Sequence, residues 1–183
     1  MESETLLEIK MNLLVIYTTK TGTVTTSLDI LEKYLPQAKM TRCDLNVCDK
    51  IPALDDFDFV LVGSSIRMGK IHKKVKSFLR ENHDKLLSLN TGYFLCLGFV
   101  DLFDEYMIKN FPKDLRDNAA AITCFGGDMN PDKHRGFDKM IIKMVRADIL
   151  GGGDNGQPRD DISLPTINEN NISQLAEIIK SKS

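Results

Sequence analysis

A chain of 183 residues with 24 Lys and Arg against 26 Asp and Glu, a formal net charge of -2, has the length of one α/β domain and lacks the basic excess of a general nucleic-acid binder. No apolar run reaches the about 18 residues of a membrane span, and the N-terminus carries Glu2, Glu4 and Glu8 where a secretory signal would be basic, so a cytoplasmic protein is expected. Cys43, Cys48, Cys96 and Cys124 contain no CxxC pair and are expected as reduced packing residues, and the scattered His72, His83 and His134 form no metal-ligand cluster.

Residues 1–11 carry no clear pattern and read as a tail. Leu13-Leu14-Val15-Ile16 is a continuous apolar run, the signature of a strand buried on both faces. A turn dense in hydroxyls follows, and Val24, Leu28, Leu31 and Leu35 then recur at helical spacing up to Pro36. Lys39 to Cys43 reads as a short second strand, Asp44 to Asp55 as a polar stretch, and Phe57 to Val62 as a strong third strand ending in Gly63-Ser64-Ser65-Ile66-Arg67-Met68-Gly69-Lys70. Ile71, Val75, Phe78 and Leu79 line one face of the next helix; Lys73, Lys74, Lys76 and Arg80 form its solvated face. Thr91 to Leu97 is the fourth strand, ending at Gly98-Phe99, and Leu102, Phe103, Tyr106 and Met107 continue as a helix to about Pro112. Ala119 to Phe125 is the last strand, ending in Gly126-Gly127. Residues 132–150 show a helical pattern with Phe137, Ile141, Met144 and Val145 on one stripe, followed by a Gly- and Asp-rich break to Pro165. Ile172, Leu175, Ala176 and Ile179 mark a closing helix. This alternation predicts a doubly wound, five-stranded parallel sheet with helices on both faces, and only the closing helix is needed to complete it. Residues 128–165 therefore read as an insertion near the fifth strand, within one domain over 12–183.

The turn Thr18-Thr19-Lys20-Thr21-Gly22-Thr23 joins a strand to a helix N-terminus, where unpaired amides and the helix dipole favour an anion. Neither GxxxxGK[ST] nor GxGxxG is present, which leaves a monophosphate held by hydroxyls and backbone; the alternative is an ordinary threonine-capped turn. In an open α/β sheet the ligand lies beyond the carboxyl ends of the strands, so the loops after Tyr17, Val62, Leu97 and Phe125 should share a rim. Their glycines admit close approach of a flat ligand, and Ile66, Met68, Phe99 and Phe125 offer apolar faces to a ring. Together these describe a site for a phosphorylated aromatic cofactor; plain turn chemistry is the competing account of the glycines.

The stretch Tyr17 to Thr23, G-S-S-I-R-M-G after the third strand, and F-D-K-M-I-I-K-M-V followed by G-G resemble the flavodoxin family. Within it the chain is most similar to quinone-linked protoporphyrinogen dehydrogenases and related flavodoxin-domain proteins, from about Asn12 to Lys180. The resemblance implies strand order 2-1-3-4-5 and noncovalent FMN, with Thr19 to Thr23 on its phosphate, Ser65 to Gly69 along one side of the ring and Gly98-Phe99 along the other. The candidate cofactor-binding set is Thr18, Thr19, Lys20, Thr21, Gly22 and Thr23, then Ser64, Ser65, Ile66, Arg67, Met68 and Gly69, then Cys96, Gly98, Phe99, Phe125, Gly126 and Gly127. Val24 stands where the family's phosphate loop carries a second hydroxyl, and Met68 and Phe99 stand where electron carriers often place tryptophan and tyrosine.

The implied activity is an FMN-dependent oxidoreductase of the protoporphyrinogen dehydrogenase type, taking a small-molecule substrate with a quinone or another acceptor. Arg67, beside the expected ring, would stabilise negative charge on a reduced flavin or pair with a substrate carboxylate, and no general acid or base is identifiable. The stripe from Phe137 to Ile149, with Lys139, Lys143 and Arg146, suits either packing on the domain core or a peripheral contact with the inner face of a membrane. The alternative activity is a single-electron carrier to a redox partner protein, against which the near-neutral charge and the insertion weigh. Phosphoacceptor receiver domains share the architecture but need an aspartate where this chain has Gly63-Ser64.

Overall fold

The computed structural model describes residues 10–127 and 165–182. Five strands alternate with helices: β1 Met11–Thr18, α1 Thr23–Tyr34, β2 Ala38–Asp44, β3 Phe59–Ser65, α2 Lys73–Glu81, α3 His83–Leu87, β4 Thr91–Cys96, α4 Phe103–Asn110, α5 Lys113–Asn118, β5 Ala121–Cys124 and α6 Glu169–Lys180. Short 3-10 turns cover Leu54–Asp56 and Val100–Leu102. The sheet is parallel throughout, in the order β2-β1-β3-β4-β5, as the resemblance implied. The predicted helix over 132–150 and the glycine-rich break after it lie outside the described residues.

Alternation along the central strands produces two cores. Leu13 and Val15 of β1, Phe59 and Leu61 of β3, and Phe94 of β4 face α1 and α6, meeting Leu28, Leu31, Leu175 and Ile179. Leu14, Ile16, Val60, Val62, Tyr93 and Leu95 face the other way, onto Val75, Phe78, Leu79, Met107 and Leu115. Both sides of β1, β3 and β4 are thus dry, which explains their unbroken apolar runs. The edge strand β2 is only half covered, and its Arg42 reaches Asp29 and Glu32 of α1 at 2.6 Å each. No helix among the described residues is long and apolar enough to cross a membrane.

Three features depart from the sequence reading. Strand β1 begins at Met11, one residue inside the stretch read as a tail, and Met11 is buried. Helices α3 and α5 have 5 and 6 residues, too short to leave a periodic signal. Cys43 and Cys48, expected as thiols, are joined in a disulfide with their Cα atoms 5.6 Å apart. The amide of Asn46 donates to the Asp44 carboxylate, and those of Val47 and Cys48 to the Asp44 carbonyl, turning the chain back on itself after β2. Cys96 and Cys124 are free and buried, as expected.

The two short helices are joined by His83, whose Nδ1 lies 3.0 Å from Asp84 and whose Nε2 lies 2.8 Å from Asp114 of α5. Hydrogen bonds to Asp84 and then Asp114 raise the His83 pKa above its ordinary 6.5, and the bond from His83 lowers that of Asp114 below 3.8. The imidazolium therefore stabilises the fold fully below pH 6.5, and that contribution disappears as pH rises through the raised value. Asp114 contributes above pH 3.8 and loses its contribution as pH falls through its lowered value. Melting curves should show His83→Ala destabilising the protein at about pH 5.5, with the Tm difference from wild type shrinking by about pH 9. A difference constant with pH would mean that the ring acts by packing alone.

Candidate functional site

The switch in strand order lies between β1 and β3, and their ends are tied together there. Thr18 is paired in register with Ser64, and their buried hydroxyls lie 3.2 Å apart. Ser64 Oγ also accepts the His72 amide at 3.2 Å and donates to the Ser65 carbonyl at 3.0 Å. Of the predicted ligand residues, Thr18 and Ser64 thus spend their hydroxyls on holding two loops side by side.

Beyond Thr18 the chain enters α1 through Gly22, a left-handed N-cap with φ 84° that supplies no side-chain cap. The helix keeps uncapped first-turn amides, and no acidic residue occupies that turn. A Cβ built on Gly22 would meet nothing within 4 Å, so the chain is open on that side of the glycine. Thr19 Oγ1 accepts the Gly22 amide at 3.2 Å and keeps its own proton to donate, while the Thr21 and Thr23 hydroxyls lie 3.5 Å apart. Asn46, on the loop after β2, donates Nδ2 to the Thr19 carbonyl at 3.0 Å. Val24 is fully buried with Leu28 and Leu31, so helical phase turns it inward, away from this turn's open side.

The loop after β3 closes on itself, with the Arg67 amide donating to the Lys70 carbonyl at 2.9 Å and the Lys70 amide to the Arg67 carbonyl at 3.1 Å. Its tip holds Met68 at φ 49° and Gly69 at φ 73°, a conformation costing a non-glycine residue about 1–2 kcal/mol. Asn110, the last residue of α4, holds that tip: Oδ1 accepts the Ile71 amide at 3.1 Å, and Nδ2 donates to the carbonyls of Gly69 at 3.1 Å and Tyr106 at 2.8 Å. Met68 consequently stands 84% exposed. Ile66 is drawn toward β4 by its amide bond to the Cys96 carbonyl at 3.0 Å and packs partly into the core.

A cleft of about 740 Å³ lies between these two loops, lined by Thr18, Thr19, Lys20, Asn46, Ser65, Arg67, Met68, Lys70, Ile71, His72 and Lys73. Lys20, Arg67, Lys70 and Lys73 stand in this lining and no acidic residue does, a composition that suits an anionic ligand. The structure therefore brings the predicted loops after β1 and β3 together and adds Asn46, Lys70, Ile71, His72 and Lys73, which the sequence reading did not place in the site.

The loop after β4 and the segment leading into α6 line a second cleft of about 620 Å³, between residues 98–101 and 165–170. Phe99 and Val100 are 44% and 45% exposed there. Gly126 and Gly127 are packed against protein: Gly126 forms a bridge to Ile167, and a Cβ on Gly127 would lie 2.6 Å from the Gly98 nitrogen. Phe125, expected to offer its ring to the rim, is fully buried instead, stacked on Phe94 with centroids 4.5 Å apart. It shares its sheet face with Ala121, and alternation carries it into the core. The Cys96 side chain is likewise buried among α1 and α6 residues, and that burial pushes its thiol pKa well up.

The flavodoxin domain family model matches residues 14–154. A protoporphyrinogen IX dehydrogenase [quinone] of Leishmania major is 28% identical over 151 residues, covering 76% of this chain and 63% of that protein. A triosephosphate isomerase of Clostridium beijerinckii is 24% identical over 138 residues, covering 70% of this chain and 56% of that one. The chain thus spans about three fifths of the length of these curated relatives. Among solved structures, the two-electron reduced flavodoxin of Megasphaera elsdenii superimposes with a TM-score of 0.49 at 15% identity, over 70% of this chain and 94% of its own. With more than half its length matched by that model, and with the 2-1-3-4-5 parallel sheet, the chain belongs to the flavodoxin domain family.

Proposed function

We propose that the chain binds FMN and is an oxidoreductase of the protoporphyrinogen dehydrogenase type, passing electrons from a small-molecule substrate to a quinone or another acceptor. One observation carries the cofactor: a helix N-terminus capped only by glycine, with open space beside that glycine, at the edge of a cleft whose lining holds Lys20, Arg67, Lys70 and Lys73 and no acidic residue. The phosphate would take the first-turn amides of α1 and the hydroxyls of Thr19, Thr21 and Thr23. Ser65 to Gly69, with Ile66, Arg67 and Met68, would flank one side of the ring, and Gly98-Phe99 the other. Cys96, Gly126 and Gly127 would serve through their backbone and as packing for those loops. Val24 contributes no hydroxyl, and the lost bond to a charged group is worth about 1.5–3 kcal/mol, so affinity should be about ten-fold or more below that of a loop with the second hydroxyl.

FMN, when bound, supplies the capacity to accept two electrons and pass them on singly or in pairs. The chain's own residues bind and orient. Arg67 puts a cation near the ring, favouring its reduced, more negative form or a substrate carboxylate. The 28% identity to a dehydrogenase of protoporphyrinogen IX supports the substrate class.

Purified or FMN-reconstituted protein should be yellow and melt at a higher temperature than the apoprotein; a colourless protein with no thermal shift removes the cofactor. Anaerobic oxidation of protoporphyrinogen with a quinone acceptor is the test of the enzyme. Accumulation of a one-electron-reduced spectrum without turnover would make the protein a carrier serving a redox partner.

A further inference from the structure

We propose that Cys43 and Cys48 are a redox-responsive pair, and that closing their disulfide sets the shape of the Thr18–Thr23 loop and with it the affinity for a phosphorylated cofactor. The effect on FMN rests on the function proposed above; the effect on the loop does not.

The disulfide spans only residues 43–48, and within that ring sits Asn46. The Asn46 side chain donates to the Thr19 carbonyl, and the Thr19 hydroxyl accepts the Gly22 amide at the mouth of α1. A continuous bonded path therefore runs from the disulfide to the N-cap of the phosphate-facing helix. Lys74 of α2 supports the same ring, donating to the carbonyls of Leu45 at 2.7 Å and Asn46 at 3.5 Å. Asn46 also lines the basic cleft, so its displacement changes the cleft wall directly.

The two sulfurs differ in access. Cys43 is buried, whereas Cys48 is half-buried and lines a separate surface cleft of about 390 Å³ with Lys73, Lys74, Asp49 and Glu81. A thiolate reductant can attack Cys48 Sγ. The Cys43–Cys48 bond breaks, Cys43 leaves as a thiolate and takes a proton, and Cys48 is held in a mixed disulfide. A second thiolate attacks the reductant's sulfur, releasing Cys48, which is protonated in turn. Overall the protein disulfide gains two electrons and two protons, and two reductant thiols become one disulfide. Opening the ring returns conformational freedom to residues 44–47 and weakens the hold of Asn46 on Thr19.

The test compares full-length protein in its disulfide form with protein reduced by a water-soluble phosphine. Two readouts are used: amide exchange at residues 18–23 in the apoprotein, and binding of FMN and of riboflavin. Reduction should speed exchange in that loop and weaken FMN binding about five- to ten-fold while leaving riboflavin, which has no phosphate, within two-fold. Asn46→Ala should show the weaker FMN binding in both states, and Cys43→Ser/Cys48→Ser should match the reduced protein. Unchanged exchange together with FMN affinity equal in both states overturns the proposal and leaves FMN binding intact. Faster exchange in a protein that binds no FMN in either state upholds the switch and removes the cofactor. Equal losses of riboflavin and FMN affinity would place the effect elsewhere in the fold and overturn the proposal.

Discussion

Gly22→Asp should lower FMN affinity about a hundred-fold or more while the protein stays folded. The two effects separate because of the local geometry. A side chain at this position enters open space, since no atom lies within 4 Å of the added Cβ. Folding loses about 1 kcal/mol, because φ 84° suits glycine better than any other residue. The new carboxylate would stand at the entry to α1, next to the place proposed for the phosphate, and at an effective dielectric of about 20 two unit charges 4 Å apart interact by about 4 kcal/mol. Flavin fluorescence titration measures the loss, and a thermal melt of the apoprotein shows whether the fold persists. Affinity within about three-fold of wild type would place the phosphate elsewhere.

The largest effect on stability is expected from Gly63→Ala. Gly63 lies in β3 with the Phe94 ring over it, and an added Cβ would lie 2.4 Å from two ring carbons and 2.5 Å from a third. The ring has nowhere to retreat, because Phe94 is fully buried and stacked on Phe125, itself fully buried. Overpacking of this kind costs about 1–3 kcal/mol and more where neighbours are fixed, so a loss of about 3 kcal/mol and about 6–12 °C in Tm is expected. Gly63→Ala/Phe94→Leu should recover part of it by making room. A single variant melting within about 2 °C of wild type would show that β3 can shift away from β4.

The strands were readable because burial on two faces leaves long apolar runs, as in Leu13 to Ile16 and Phe57 to Val62, and two opposite cores explain why no alternation interrupts them. The strand-to-helix turn after β1 was readable too, since a glycine at the entry to α1 and a run of threonines are local chemistry. What stayed hidden was set by contacts between distant residues. Asn46 and Asn110 clamp backbone carbonyls across 27 and 41 residues of sequence, and a polar side chain at a loop or a helix end carries no periodic trace of such a role. The C-x4-C spacing of Cys43 and Cys48 has no distinctive pattern, and the turn at Asp44 is what brings the sulfurs together. Phe125 follows the last strand beside the rim glycines, but it lies on the same sheet face as Ala121, and that two-residue alternation is the signal that places it in the core.

The bridge between Gly126 and Ile167 joins two points far apart along the chain. The Asn168 amide donates to the Phe125 carbonyl at 2.8 Å, and Asn171 Nδ2 to the Cys124 carbonyl at 2.8 Å, so α6 is stitched to the end of β5 beside the place where the chain departs. Departure and return share one doorway. Chain-closure entropy grows only with the logarithm of length, each doubling adding about 0.6 kcal/mol. The doubly wound frame itself therefore fixes where residues 127 and 165 meet, whatever the length of chain that joins them.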